Sequence, residues 1–246
     1  TGQQFCGWVR VGHRPAENTL SVTVSESLLP VLPEVLARIK NLFDLYCEPK
    51  AVYETLQVMN TLQPGLCVLG TRLPGCFNVF EMSVRAVLGQ QITVKAASTL
   101  AARLVAVYGT QVQTGIEGLT HSFPAPAAIL ALGENISEHL GKLGIISARA
   151  NTIYQLARVL ADEKNDFGFC GNPEEEMQKL QAIRGIGSWT AQYIAMRAMG
   201  WPDAFLPTDA GIKKALPDHT PKELQVLSEA WRPWRSYATV NLWNTL

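Results

Sequence analysis

Leu180-Gln-Ala-Ile-Arg-Gly-Ile-Gly-Ser-Trp-Thr-Ala-Gln-Tyr-Ile-Ala195 is the stretch that decides how this chain is read. The spacing predicts a helix ending near Ile183, a tight turn over Gly185-Ile-Gly187, and a second helix with Ala191, Ile194, Ala195 and Ala198 along one side. Paired glycines let the backbone turn sharply and let another backbone come close. Ile186 between them is apolar and is expected to plug into the body, with Ser188 expected to cap the second helix.

The N–H groups at the start of such a helix point outward and form an anion site. A hairpin of this shape grips DNA phosphate without reading base sequence, through Gly185, Ile186, Gly187 and Ser188. The bland alternative is a hairpin that merely packs. The context of helix, apolar-x-Gly-apolar-Gly and helix favours the DNA reading. Trp189 and Tyr193 lie four apart and so share one face of the second helix.

Downstream come Phe205-Leu-Pro-Thr-Asp209 and then Ala210-Gly-Ile-Lys-Lys-Ala215. Pro207 breaks the chain, so Thr208 or Asp209 opens a new helix. Aspartate there is ordinarily a cap. Its place, one helix beyond the hairpin, makes it a candidate for chemistry as well. Further on, Thr220-Pro-Lys-Glu223 reads as a capping box.

Upstream the pattern is also helical. Phe77 to Leu88 and Val94 to Tyr108 read as helices, the latter ended by Gly109. Ile153, Leu156, Ala157 and Leu160 mark another, with Ser147 as its expected N-cap, and Pro173 opens one more. The front of the chain differs. Gly7 to His13 and the alternating Leu20-Ser-Val-Thr-Val-Ser25 predict a β-hairpin, and Val35, Leu36, Ile39, Leu42 and Phe43 predict a helix after it. The expected fold is mainly α: a small N-terminal α+β antiparallel-sheet domain over 1–72, then an all-α region over 73–246. Thr1 to Gly7 read like the middle of a sheet domain, so the natural protein is expected to begin upstream.

Composition bounds the rest. The chain has 246 residues, 47% of them hydrophobic and 17% charged, which excludes wholesale disorder. No apolar run is long enough to span a bilayer, and no leader opens the chain. Cys6, Cys47, Cys67, Cys76 and Cys170 contain no C-x-x-C pair, and the histidines have no metal-ligand spacing. A disulfide framework or zinc site is therefore not expected, and a reducing compartment is. An acidic stretch sets Asp162, Glu163, Asp166, Glu174, Glu175 and Glu176 against Lys164 alone. On charge alone it reads as ordinary solvated surface.

Taken together, these motifs resemble the helix-hairpin-helix DNA glycosylases. The hairpin with its downstream Pro-x-Asp carries the likeness, together with Val84-Arg-Ala-Val-Leu-Gly-Gln-Gln91. Phe205 to Asp209, Trp231-Arg-Pro-Trp-Arg-Ser-Tyr-Ala238, Trp243 and the front segment Leu42-Phe-Asp-Leu45 are similar to the alkylation-repair branch, the DNA-3-methyladenine glycosylase II type. The resemblance covers nearly the whole chain.

It implies a monofunctional N-glycosylase acting on duplex DNA that flips out and excises alkylated purines such as 3-methyladenine. Asp209 would be the catalytic carboxylate, and Trp189, Tyr193 and Trp243 the base pocket. Gln91 would be the wedge that fills the vacated stack, or else a residue capping its loop. The carbonyls of Gln181, Ile183 and Gly185 would hold a monovalent cation, sodium or potassium, and no organic cofactor is required. Trp189 stands where strand-cleaving relatives carry lysine, so no Schiff base is expected. The missing run of cysteines argues against an iron–sulfur cluster. Asn244 stands where an aromatic often follows the last tryptophan, which leaves the pocket rim open. The expected state is a monomer in the cytoplasm on the nucleoid, or in the nucleus of a eukaryote. The rival reading is a non-catalytic DNA-gripping module, and a general protein-interaction domain stands behind it. The gripping module needs neither Asp209 nor the aromatic set, and the interaction domain predicts no salt-dependent DNA binding.

Overall fold

The period-two alternation at the front of the chain becomes a two-stranded sheet. Strands β1 (Val9–Arg14) and β2 (Thr19–Val24) pair antiparallel, Val9 opposite Val24 and Arg14 opposite Thr19. Asn18 closes the turn at φ 50°, a left-handed conformation that asparagine tolerates. Helix α1 (Leu32–Leu42) lays Val35 and Ile39 against this sheet, and with Leu28 they form a small core of their own. This computed structural model describes residues 5–161 and 172–246. Thr1 to Gln4, Cys170 and the acidic stretch's Asp162, Glu163, Lys164 and Asp166 lie outside the described residues.

Helix α2 (Pro49–Leu56) has no counterpart in the periodicity reading. From residue 79 the chain runs as α3 (Val79–Leu88), α4 (Val94–Tyr108), α5 (Pro126–Leu130), α6 (Ile136–Gly141), α7 (Ser147–Leu160), α8 (Pro173–Gln181), α9 (Ser188–Arg197), α10 (Ala210–Ala215), α11 (Pro221–Leu227) and α12 (Arg235–Trp243). A short ladder, β3 (Thr110–Gln111) with β4 (His121–Ser122), interrupts what the sequence suggested was helix throughout.

Caps explain several boundaries. Asn78 accepts a bond from the Glu81 amide, so α3 starts two residues later than expected from Phe77. Gly109 closes α4 through its N–H to the Val105 carbonyl at 2.8 Å. Asn172 caps α8, Pro173 fills its first position, and Glu174 to Glu176 face the positive end of the helix dipole. Thr220 and Glu223 form the anticipated capping box. Two expected caps are corrected. The extended residues before α7 and α9 are Ile146 and Gly187, so Ser147 and Ser188 are first helical residues and neither helix has a side-chain cap bond.

Packing groups the elements by space rather than by chain order. One core joins residues of α3 to α9. A second joins Val52, Leu56, Met59, Leu66 and Leu73 to Phe205, Leu206, Ile212, Leu224, Trp231 and Leu242. Helix α9 is the wall between them: Ala191, Ile194 and Ala195 face the first core and Met196 the second. The segment that carries Asp209 leaves this wall. Among the described residues no helix is long and apolar enough to cross a membrane.

Candidate active site

Asp209 is the N-cap of α10, as its place before Ala210 suggested, and its carboxylate gathers donors from three directions. Oδ1 accepts from the Gly211 amide at 2.8 Å, the Ile212 amide at 3.1 Å and Trp243 Nε1 at 2.8 Å. Oδ2 accepts from Trp189 Nε1 at 3.0 Å. Ionised carboxylates take about four hydrogen bonds over two oxygens, so Oδ2 retains accepting capacity while Oδ1 is saturated. These donors replace water around an anion and fix its plane.

The three aromatics form one assembly with the carboxylate. Trp189 stacks on Tyr193 with centroids 5.1 Å apart and planes 7° apart, the product of their one-turn spacing on α9. Trp243 tilts against Tyr193 at 6.3 Å and 53°. Both indoles spend their N–H on Asp209, so each ring is pinned at its polar edge. Gly211 makes room for this. A Cβ there would lie 2.7 Å from Trp243 Cδ1 and 2.9 Å from its Nε1. One turn beyond Tyr193, Arg197 places its guanidinium 5.7 Å from the Tyr193 ring centroid and donates to its hydroxyl at 3.4 Å.

The strap that leads to Asp209, residues 203–208, is anchored at its start by a buried ion pair. Arg235, at the start of α12, donates from Nε to Asp203 Oδ1 at 2.7 Å and from Nη2 to Oδ2 at 2.9 Å and to the Asp203 carbonyl at 2.8 Å. Arg232 bonds the same carboxylate. Ser236 donates to the Trp201 carbonyl at 2.7 Å. Gln192 of α9 accepts from the Phe205 amide at 3.3 Å, so the strap is tied to the hairpin's second helix as well.

The hairpin turn has two unlike glycines. Gly185 sits at φ +97°, where a Cβ would come 2.1 Å from Thr152 Oγ1. Gly187 has open space where a Cβ would go. Ile186 is buried between them, as anticipated, and Gly187 precedes α9 without any side-chain cap. The first amides of α9 are thus left for a partner. The exposed Gln91 stands at φ 56° in the loop between α3 and α4. It caps neither helix, since Gly89 ends α3 and Thr93 caps α4.

The sequence family described as HhH-GPD superfamily base excision DNA repair protein matches residues 84–235, and the AlkA N-terminal domain family matches residues 2–78. DNA-3-methyladenine glycosylase 2 of Escherichia coli K12 is 38% identical over 230 residues, which cover 94% of this chain and 78% of that protein. The chain belongs to the HhH-GPD superfamily of base excision DNA repair proteins. A probable bifunctional transcriptional activator and DNA repair enzyme AlkA of Mycobacterium tuberculosis is 40% identical over 216 residues, 85% of this chain and 42% of that longer protein. In three dimensions the chain matches the 3-methyladenine DNA-glycosylase of Archaeoglobus fulgidus with a TM-score of 0.76 at 22% identity, over 96% of this chain and 81% of that one.

Within this HhH-GPD fold, Asp209, Trp189, Tyr193 and Trp243 come together, whereas Gln91 and Gly185 to Ser188 belong to the neighbouring hairpin and loop. Sequence reading did not single out Gly211, Arg197, Asp203, Arg235 or Gln90. Gly211 leaves a faint signal, a glycine inside a helix start. Arg197 meets Tyr193 at a one-turn spacing that the helix reading could have offered, whereas Asp203, Arg235 and Gln90 act through contacts between distant segments, which spacing does not encode.

Proposed function

We propose that this chain is a monofunctional DNA N-glycosylase that flips alkylated purines out of the duplex and hydrolyses their glycosidic bond. The observation that carries the reading is the carboxylate of Asp209, saturated at Oδ1, open at Oδ2 and bordered by two indoles that donate to it. A base inside the stack is out of reach, so it must rotate out. An alkylated purine such as 3-methyladenine is already cationic and leaves readily. The residual sugar has oxocarbenium character, and a fixed carboxylate stabilises that charge and orients water. Two carboxylates are the rule for glycoside hydrolases. One suffices where the substrate brings its own activation.

The remaining roles follow from placement. The uncapped start of α9, with Gly185, Ile186, Gly187 and Ser188, takes a backbone phosphate. Trp189, Tyr193 and Trp243 receive the base, an aromatic face being worth about 0.5–2 kcal/mol to a cation. Gln91 fills the hole. The carbonyls of Gln181, Ile183 and Gly185 would hold a monovalent cation, which would add positive charge to the hairpin. The Ile183 oxygen accepts from the Ile186 amide and the Gly185 oxygen from Gln90, and each retains a second lone pair, so the donors suit a hard cation. With Trp189 in place of an amine, the product is an intact abasic strand. The active form is a monomer on duplex DNA.

Purified protein incubated with methylated duplex should release free 3-methyladenine, detected by chromatography, and leave the strand uncut. Addition of borohydride should trap no adduct. A borohydride-dependent crosslink contradicts the monofunctional reading, and absence of any released base contradicts the enzyme reading.

A further inference from the structure

Gln90 precedes the exposed Gln91 and is itself half-buried. Its Nε2 donates to the Gly185 carbonyl at 2.9 Å and to Thr190 Oγ1 at 2.9 Å. A carbonyl oxygen only accepts, so the amide orientation is settled by its partner. The main-chain carbonyl of Gln90 accepts from Arg149 of α7. On the opposite side of the turn, Thr152 Oγ1 of α7 donates to the Arg184 carbonyl at 2.9 Å and fills the space that a Cβ on Gly185 would need. One side chain therefore joins the α3–α4 loop to the hairpin turn and to the first turn of α9. Loop and turn each retain a separate anchor on α7 without it, Arg149 for the loop and Thr152 for the turn.

We infer that Gln90 is a positioning residue that couples the loop bearing Gln91 to the phosphate-gripping turn. Gripping of the backbone at Gly185 to Ser188 and entry of the loop into the duplex are then one concerted event. The left-handed conformation of Gln91 is what this tether has to maintain, since a non-glycine residue held at positive φ persists only where its surroundings fix it. The inference rests on the proposed reading of the hairpin as the phosphate grip and of the α3–α4 loop as the part that enters the duplex.

The test uses the full chain carrying Gln90→Met, which keeps length and removes both donors, with Gln90→Leu as a second variant if the first melts early. Gln91→Ala and the double variant complete a cycle. Affinity is measured for an undamaged duplex and for a duplex holding a tetrahydrofuran abasic-site analogue. Gln90→Met should bind undamaged duplex within about twofold of the parent and the abasic duplex about tenfold more weakly, and adding it to Gln91→Ala should cost nothing more. Equal weakening on both duplexes would make Gln90 a mere support of the hairpin and overturn the coupling. So would additive losses in the double variant, or a silent Gln90→Met beside a damaging Gln91→Ala. If Gln91→Ala is silent while Gln90→Met still selects against the abasic duplex, the coupling stands and the role given to Gln91 falls. If both are silent, both fall.

Discussion

Two helix starts in this molecule obey the same electrostatics and end in opposite states. The N-terminus of α9 follows Gly187 and receives no side-chain cap. The N-terminus of α10 is filled by Asp209, whose Oδ1 takes the amides of Gly211 and Ile212. Each start carries partial positive charge and unpaired donors. Left empty, such an end suits an anion from outside, and a DNA phosphate is the one proposed. Filled by a carboxylate, it instead fixes an anion in place, with the second oxygen free to face something cationic. The capping role that makes Asp209 look ordinary is thus what orients its other oxygen. The same contrast separates the glycines, one wedged against Thr152 and the other open.

The largest expected effect falls on the filled end. Asparagine caps about as well as aspartate. In Asp209→Asn the Oδ1 contacts persist, while the new amide faces the Trp189 N–H and loses that bond. Base release should fall about a hundredfold or more, as for removal of a preorganised charge. Release close to the parental rate would reduce Asp209 to a cap and dissolve the contrast.

Next in size is the strap that holds this end in place. The side chains of Arg235 and Asp203 are 7% and 11% exposed, so Arg235→Met leaves a buried carboxylate with Arg232 as its remaining cation. Breaking such a pair costs about 3–5 kcal/mol, and Arg232 keeps this one near the lower figure. Urea unfolding should register the loss at unchanged slope. A change below about 1 kcal/mol would mean the pair is dispensable.

The glycines sharpen the other side of the comparison. Gly185→Ala forces a Cβ into Thr152 at positive φ and should destabilise the fold by about 1–3 kcal/mol. Equal thermal stability of this variant and the parent would show that the turn adapts. Gly187→Val meets open space and should cost less than about 1 kcal/mol of stability, the penalty of a poor N-cap. On the proposed reading, in which phosphate approaches here, it should nonetheless weaken binding to every duplex about tenfold and flatten the salt dependence.

Much of this was legible in the sequence because it is local. The turn at Gly185 to Gly187, the capping box at Thr220, the front hairpin and Asp209 at a helix start are each encoded within a few residues. The misplaced caps show the limit even there. Ser147 and Ser188 are ordinary capping residues, yet the extended residue falls one position earlier, at Ile146 and Gly187. Helix α2 escaped because it is short, and its buried Val52 and Leu56 belong to a core that joins residues 52–73 to the C-terminal helices. The bonds that build the site span the chain. Trp243 reaches Asp209 across 34 residues and Gln90 reaches Gly185 across 95, and no periodicity records such a distance.

If one helix end grips and the other reacts, a crossed measurement separates the two functions. Equilibrium binding and single-turnover base release are determined on the same alkylated duplex for Asp209→Asn and Gly187→Val. In the first, binding should stay parental while release is lost. In the second, binding should weaken, with parental release once the duplex is saturating. Proportional loss of both functions in both variants would contradict that division.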